Sequence, residues 1–117
     1  MLLLDDEPEI VYVVGEYLTT LGWQTIQCAS MAEASTAVAQ ARALDAAVID
    51  WIVGGASART LIEQLQKRHP KCAVLLATGL GADVLIAREF GLPSIRKPYT
   101  MRAIANRLEA MVKLDRR

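Results

Sequence analysis

Apolar and polar positions along the chain follow two alternating rhythms. Short, nearly continuous apolar runs read as buried strands, and apolar stripes recurring every three to four residues read as helices. Leu2 to Leu4 is the first such run. Pro8 then opens a helix, because a proline's missing N–H is not needed in a first turn. Ile10, Val14, Tyr17, Leu18 and Leu21 share one face of that helix, and Gly22 stands in the usual cap position after it. Gln24 to Cys28 forms a second strand. Ser30-Met31-Ala32-Glu33 has the spacing of a capping box, so a second helix runs from there to about Arg42. Ala46 to Ile49 is a third strand ending at Asp50. Ala58 to Arg68 is a third helix, stopped before Pro70. Ala73 to Ala77 is a fourth strand. Ala82 to Phe90 carries a thin apolar pattern and is expected to be a short or irregular fourth helix, closed by Gly91. Ser94 to Arg96 is a fifth strand, and Thr100 caps a last helix through about Leu114.

Strands alternating with helices in this way build an α/β domain, a parallel sheet covered on both faces. The doubly wound, flavodoxin-like (βα)5 arrangement with strand order 2-1-3-4-5 is one of two common solutions. In it, ligands bind beyond the carboxyl ends of the strands, beside the point where the winding reverses. The whole chain, 1–117, reads as one domain, without linker, repeat or low-complexity tract.

Composition narrows the function. Just over half the residues are apolar, enough for a real core, and the formal net charge is zero. Nucleic-acid binders carry a basic excess, so none is expected as a partner; only Arg116 and Arg117 form a mild basic cluster. No apolar run reaches the ~20 residues that span a membrane. Cys28 and Cys72 lack metal-type spacing and read as reduced core thiols in a cytoplasmic protein.

The polar residues at the strand ends carry the candidate chemistry. The first strand ends in Asp5-Asp6, the third in Asp50, the fourth in Thr78 and the fifth in Lys97-Pro98. Taken singly, each has a plain explanation. An aspartate can cap the helix begun by Pro8, a threonine can serve a turn, and a lysine can be a solvated charge. Jointly they form a set. Three carboxylates repel one another until a hard divalent cation joins them, and magnesium favours a few carboxylates with waters and a phosphate oxygen. A lysine adds a point charge for phosphate, and a threonine hydroxyl adds a hydrogen bond. Such a set suits in-line phosphoryl transfer onto an aspartate.

Leu-Leu-Leu-Asp-Asp-Glu-Pro-Glu at residues 2–9, Ala-Val-Ile-Asp-Trp at 47–51, Ala-Thr-Gly at 77–79 and Arg-Lys-Pro-Tyr at 96–99 together resemble the response-regulator receiver family of bacterial two-component systems. The resemblance covers essentially the whole chain and implies the 2-1-3-4-5 order. It implies that Asp50 accepts the phosphoryl group and also holds Mg2+. Asp6 would bind the ion directly, Asp5 through water, and Ile52 through its backbone carbonyl. Thr78 and Lys97 would hold phosphoryl oxygens. The donor would be a phosphohistidine on a sensor histidine kinase or a histidine phosphotransfer protein. The chain would act as a signalling phosphoacceptor that switches a protein–protein contact, and not as an enzyme. With no output segment after the last helix, that contact would belong to a standalone regulator or phosphate sink, or to a fused domain, as in the receiver of a hybrid histidine kinase. A phosphorylation-independent pseudo-receiver would need a broken acidic site, and this one is complete.

The chain departs from the family pattern at several points. Gly54-Gly55 replaces the usual Pro-Gly, which predicts a looser loop. The position three before Lys97, often an aromatic switch residue, is Ser94; Tyr99 is the alternative carrier of that role. The span from Thr78 to Lys97 is short. Leu76-Ala77-Thr78-Gly79 is similar to the Phe-Ala-Thr-Gly stretch of the FAT GUY receivers, which also lack the standard switch and an orderly fourth helix. Ile52 and Leu80 stand two residues beyond Asp50 and Thr78, positions that set the rate of water attack in the family. Both are apolar, which predicts slow self-dephosphorylation. With the usual dimer face altered, a monomer or weak dimer is expected.

Rival chemistries fit less well. A haloacid-dehalogenase-type phosphatase would need an acid where Ile52 stands. Gly79-Leu80-Gly81 lacks the third glycine of a dinucleotide fingerprint and follows the wrong strand. His69, the single histidine, is expected to be exposed at a helix end.

Overall fold

The computed structural model describes residues 1–79 and 82–115. Five parallel strands form one sheet: β1 (Leu2–Leu4), β2 (Ile26–Cys28), β3 (Ala46–Asp50), β6 (Ala73–Thr78) and β7 (Ser94–Arg96). Between β3 and the next helix lies a small hairpin, β4 (Ile52–Val53) and β5 (Ala56–Ser57). The helices are α1 (Pro8–Thr20), α2 (Met31–Gln40), α3 (Arg59–Arg68), α4 (Ala82–Phe90) and α5 (Met101–Asp115). The sheet order is β2-β1-β3-β6-β7. Counting only the strands of the large sheet, this is the flavodoxin-like 2-1-3-4-5 order.

The central strands are buried on both faces, which explains their unbroken apolar character. Successive side chains point to opposite faces. Ala47, Ile49, Val74 and Leu76 therefore meet α2, α3 and α4 in one cluster with Val38, Ile62, Leu65 and Ile86. Ala46, Val48, Ala73 and Leu75 meet α1 and α5 in the other, with Val14, Leu18, Ile104 and Leu108. A cavity left at Ile49 by truncation to alanine would cost about 2–5 kcal/mol.

Helix ends follow their local chemistry. The Ser30 hydroxyl accepts the Glu33 amide, as a capping residue should. The Thr100 hydroxyl accepts the Ala103 amide in the same way. Gly22, at φ 97°, takes the left-handed turn that closes α1. The fourth helix is short, as its thin apolar pattern predicts, with nine residues in regular helical form.

Four expectations need correction. Leu21 is 54% exposed, because α1 ends at Thr20 and the chain turns away from the buried face. Val11 and Gly15 complete that face instead. β2 begins at Ile26, two residues later than expected, as a short edge strand. The Gly54-Gly55 loop is not loose: both glycines have positive φ (59° and 81°) and make a two-residue hairpin turn, which that doublet suits. His69 is half-buried, and its Nε2 donates to the Val38 carbonyl at 3.0 Å, tying the end of α3 to α2. Cys28 is buried and Cys72 half-buried, and both are thiols rather than halves of a disulfide. Leu80, Gly81, Arg116 and Arg117 lie outside the described residues.

Candidate phosphoryl and metal site

The register of the sheet brings the expected groups to one edge. Leu4 pairs with Ile49, so Asp5 and Asp50 follow side by side on adjacent strands. Asp50 pairs with Ala77, so Thr78 comes next on β6. Thr78 pairs with Arg96, so Lys97 comes next after β7. One donor oxygen each from Asp5, Asp6 and Asp50 lies within 4.8 Å of the others.

Each side chain is held by its own local structure. Asp5 is buried; its Oδ1 accepts the Glu7 amide at 2.9 Å, at the entry to α1. Asp6 is exposed, and its Oδ2 accepts the Gly54 amide at 3.1 Å. That amide is presented by the hairpin turn, so the glycine pair serves the acidic site directly. Asp50 is only 8% exposed. The Lys97 ammonium donates to Asp50 Oδ2 at 2.8 Å and to Asp5 Oδ2 at 2.9 Å, bridging the two buried carboxylates. The Lys97–Pro98 peptide is cis.

Burial pushes the Asp50 carboxyl above the ordinary carboxylate range. The hydrogen bond and charge of Lys97 oppose that rise, Asp5 adds to it, and the Ile52 backbone opposes it. Burial alone would lower Lys97, but its hydrogen bonds to Asp50 and Asp5 outweigh it and raise the ammonium above its usual value. Burial, then the Asp5 charge, also raises the Tyr99 hydroxyl beside them.

Two features of the site ask for a ligand. Three carboxylates against one ammonium leave a formal charge of −2, which one divalent cation cancels. The oxygen-only donor set suits a hard ion such as magnesium. The second feature is Thr78: it is fully buried, and its Oγ1 has no hydrogen-bond partner among the described residues. An unsatisfied buried hydroxyl costs about 1–3 kcal/mol. An incoming acceptor oxygen at this edge would satisfy it.

The hairpin sets the place of Ile52. The Ala58 amide donates to the Trp51 carbonyl at 2.8 Å, one of the two bonds of a hydrogen-bonded pair, while the Trp51 N–H goes to the Ala77 carbonyl. By the alternation of antiparallel ladders, Ile52 and Ser57 are then a non-bonded pair, and the Ile52 backbone groups turn away from Ser57. The Ile52 side chain is 47% exposed. Ser94 is half-buried in β7 opposite Leu76.

The Gly54 amide that supports Asp6 is not evident from the sequence, although the glycine doublet is its signal. Nor is the contact of the half-buried Trp51 ring with Phe90, since nothing in the local pattern links residues that far apart.

No family model matches the chain. It is 27% identical over 118 residues to the probable transcriptional regulatory protein TcrX of Mycobacterium tuberculosis, covering 97% of this chain and 49% of that protein. The chain thus spans about half the length of this curated relative. A CheY-like response regulator receiver domain from Methanospirillum hungatei superposes with a TM-score of 0.88 at 18% identity, covering 98% of this chain and 94% of that one. A response regulator from Burkholderia pseudomallei, solved with a phosphorylated aspartic acid, a calcium ion and citrate, gives a TM-score of 0.81 at 20% identity, covering 96% and 67%. The chain has the fold of response-regulator receiver domains.

Proposed function

We propose that this receiver fold works as a two-component phosphoacceptor, taking a phosphoryl group onto Asp50 from a phosphohistidine. The observation that carries the reading is the Lys97 ammonium bridging Asp5 and Asp50 beside the sealed, unpartnered Thr78 hydroxyl. A structural charge cluster needs no orphaned donor; an anion site does. The solved Burkholderia relative, with its phosphorylated aspartic acid and calcium ion, supports the same assignment.

In the reaction, an Asp50 carboxylate oxygen attacks phosphorus in line. The P–N bond to the donor imidazole breaks, its electron pair stays on nitrogen, and an acyl phosphate forms. Lys97 Nζ holds one phosphoryl oxygen and Thr78 Oγ1 another. Asp5, Asp6, Asp50 and the Ile52 carbonyl would hold Mg2+, which would supply neutralising charge for the transferred oxygens. The Glu7 amide, donating to Asp5 Oδ1, fixes the Asp5 carboxylate for that task. Hydrolysis by water later returns the Asp50 carboxylate and inorganic phosphate. The exposed Ile52 side chain cannot hydrogen-bond that water, so self-dephosphorylation is slow.

The domain is residues 1–117 acting in the cytoplasm as a monomer or weak dimer. Its donor is a sensor histidine kinase or phosphotransfer protein, and its readout is a protein contact. Among the described residues no helix is long and apolar enough to cross a membrane. The complete acidic site favours this over a pseudo-receiver.

The test is intact mass after incubation with acetyl phosphate and Mg2+, for wild type and Asp50→Asn. A gain of about 80 Da, one phosphoryl group, is expected in the wild type only, and only with the metal. A wild type that binds Mg2+ but gains no mass overturns the reading.

A further inference from the structure

Trp51 follows Asp50 directly, and its backbone is fastened on two sides. Its N–H donates to the Ala77 carbonyl at 2.9 Å, one residue before Thr78, and its carbonyl accepts the Ala58 amide at the start of α3. The ring packs edge-to-face on Phe90, the last residue of α4, with centroids 6.0 Å apart and planes at 64°. On Phe90 sits the Arg59 guanidinium, 5.3 Å from the ring centroid, and Arg59 is paired with Glu89 of α4. Arg59 is the first residue of α3. One aromatic and cationic stack therefore joins the acceptor loop, α3 and α4. Meanwhile β7 has only Ser94 at the position three before Lys97, which offers no ring to carry a signal in that direction.

We propose that the state of Asp50 is read out on α4 through the Trp51–Phe90–Arg59 stack. The inference rests on the phosphoacceptor reading. A phosphoryl group on Asp50 supplies acceptor oxygens to the unpartnered Thr78 hydroxyl. Drawing Thr78 toward them moves the Ala77–Thr78 backbone, and the Ala77 carbonyl carries the Trp51 amide with it. The indole then shifts against Phe90, and the Arg59–Glu89 contacts on the same ring redistribute. The surface that changes is the exposed α3–α4 seam, where those two charges lie.

The experiment uses the full chain with Trp23→Phe, so that Trp51 is the single emitter. Acetyl phosphate with Mg2+ forms the adduct, and intact mass records its yield. Hydrogen exchange over residues 82–90 and Trp51 emission are then compared with and without adduct. The expected result is a shift in Trp51 emission and a severalfold change in exchange over 82–90. In Phe90→Leu the adduct forms to the same yield and Trp51 still responds, but the exchange change over 82–90 is lost. Arg59→Gln, on the exposed rim, supplies the same comparison should Phe90→Leu not fold. Unchanged exchange over 82–90 in the phosphorylated wild type overturns the proposal, as does a wild-type response in the substituted protein. Absence of the mass adduct instead overturns the phosphoacceptor reading, and this inference with it.

Discussion

The Lys97 backbone N–H donates to the Thr78 carbonyl oxygen at 2.8 Å, so the two residues that would grip the phosphoryl oxygens are fixed to each other by the sheet itself. Their strands are paired in register up to that point, Thr78 opposite Arg96. That bond keeps the two donors together at one edge, and donors held close to developing charge are where electrostatic catalysis gains most.

Lys97→Met separates the two duties of that lysine. Without the ammonium, Asp5 and Asp50 face each other with no countercharge. Because Lys97 is partly exposed, the loss of stability should be modest, about 1–2 kcal/mol. Phosphorylation by acetyl phosphate should slow by about tenfold or more. Urea denaturation and a mass-based time course measure the two effects. Unchanged phosphorylation would remove Lys97 from the site.

Thr78→Val should act in opposite directions on folding and function. The hydroxyl is buried without a partner, so replacing it with a methyl of similar shape relieves a desolvation cost. The unphosphorylated protein should gain up to about 1 kcal/mol. Phosphotransfer should slow by about tenfold, because the oxygen it would hold loses its donor. A Thr78→Val protein less stable than the wild type would mean that the hydroxyl already has a partner in solution.

Magnesium should stabilise the native chain by mass action, by about 2.7 kcal/mol at a concentration 100 times its Kd. Asp50→Asn should raise stability in metal-free buffer by about 1 kcal/mol, since it removes a desolvated charge from a cluster with excess negative charge. It should also weaken the magnesium response. Thermal melts with and without the ion test both. Equal magnesium shifts in the two proteins would exclude Asp50 as a ligand.

Much of this was legible from residue order. Apolar runs placed the five strands, and their polar ends placed Asp5, Asp50, Thr78 and Lys97 at one edge, because a parallel sheet puts all its carboxyl ends on one side. What the sequence hid depended on partners distant in the chain. Leu21 fits the helical stripe, but its exposure follows from where α1 stops. His69 looked like a solvated helix end until the Val38 carbonyl of α2 was in reach. Contrast with the family's Pro-Gly pair suggests slack at Gly54-Gly55, whereas its two positive φ angles make a tight turn that delivers an amide to Asp6.

The Cys28 thiol gives a pH signature independent of the phosphoryl site. Burial first, with the Glu33 charge adding to it, pushes its pKa up to about 11. In the unfolded chain the thiol titrates near its ordinary value of about 8.5. Between those values the unfolded state gives up its proton first, so stability is full below about pH 8.5 and falls as pH climbs toward 11. The loss should reach about 3 kcal/mol at the alkaline end. Urea midpoints measured from pH 8 to 11 should show that decline, and Cys28→Ala, though less stable overall, should show a flatter one. The raised Tyr99 hydroxyl acts in the same direction, so some slope should survive in Cys28→Ala at the alkaline end. Iodoacetamide at pH 8 should modify the half-buried Cys72 well before Cys28. Equal labelling of both thiols, or a decline with the same slope in Cys28→Ala, would mean that Cys28 is not sealed under the edge of the sheet.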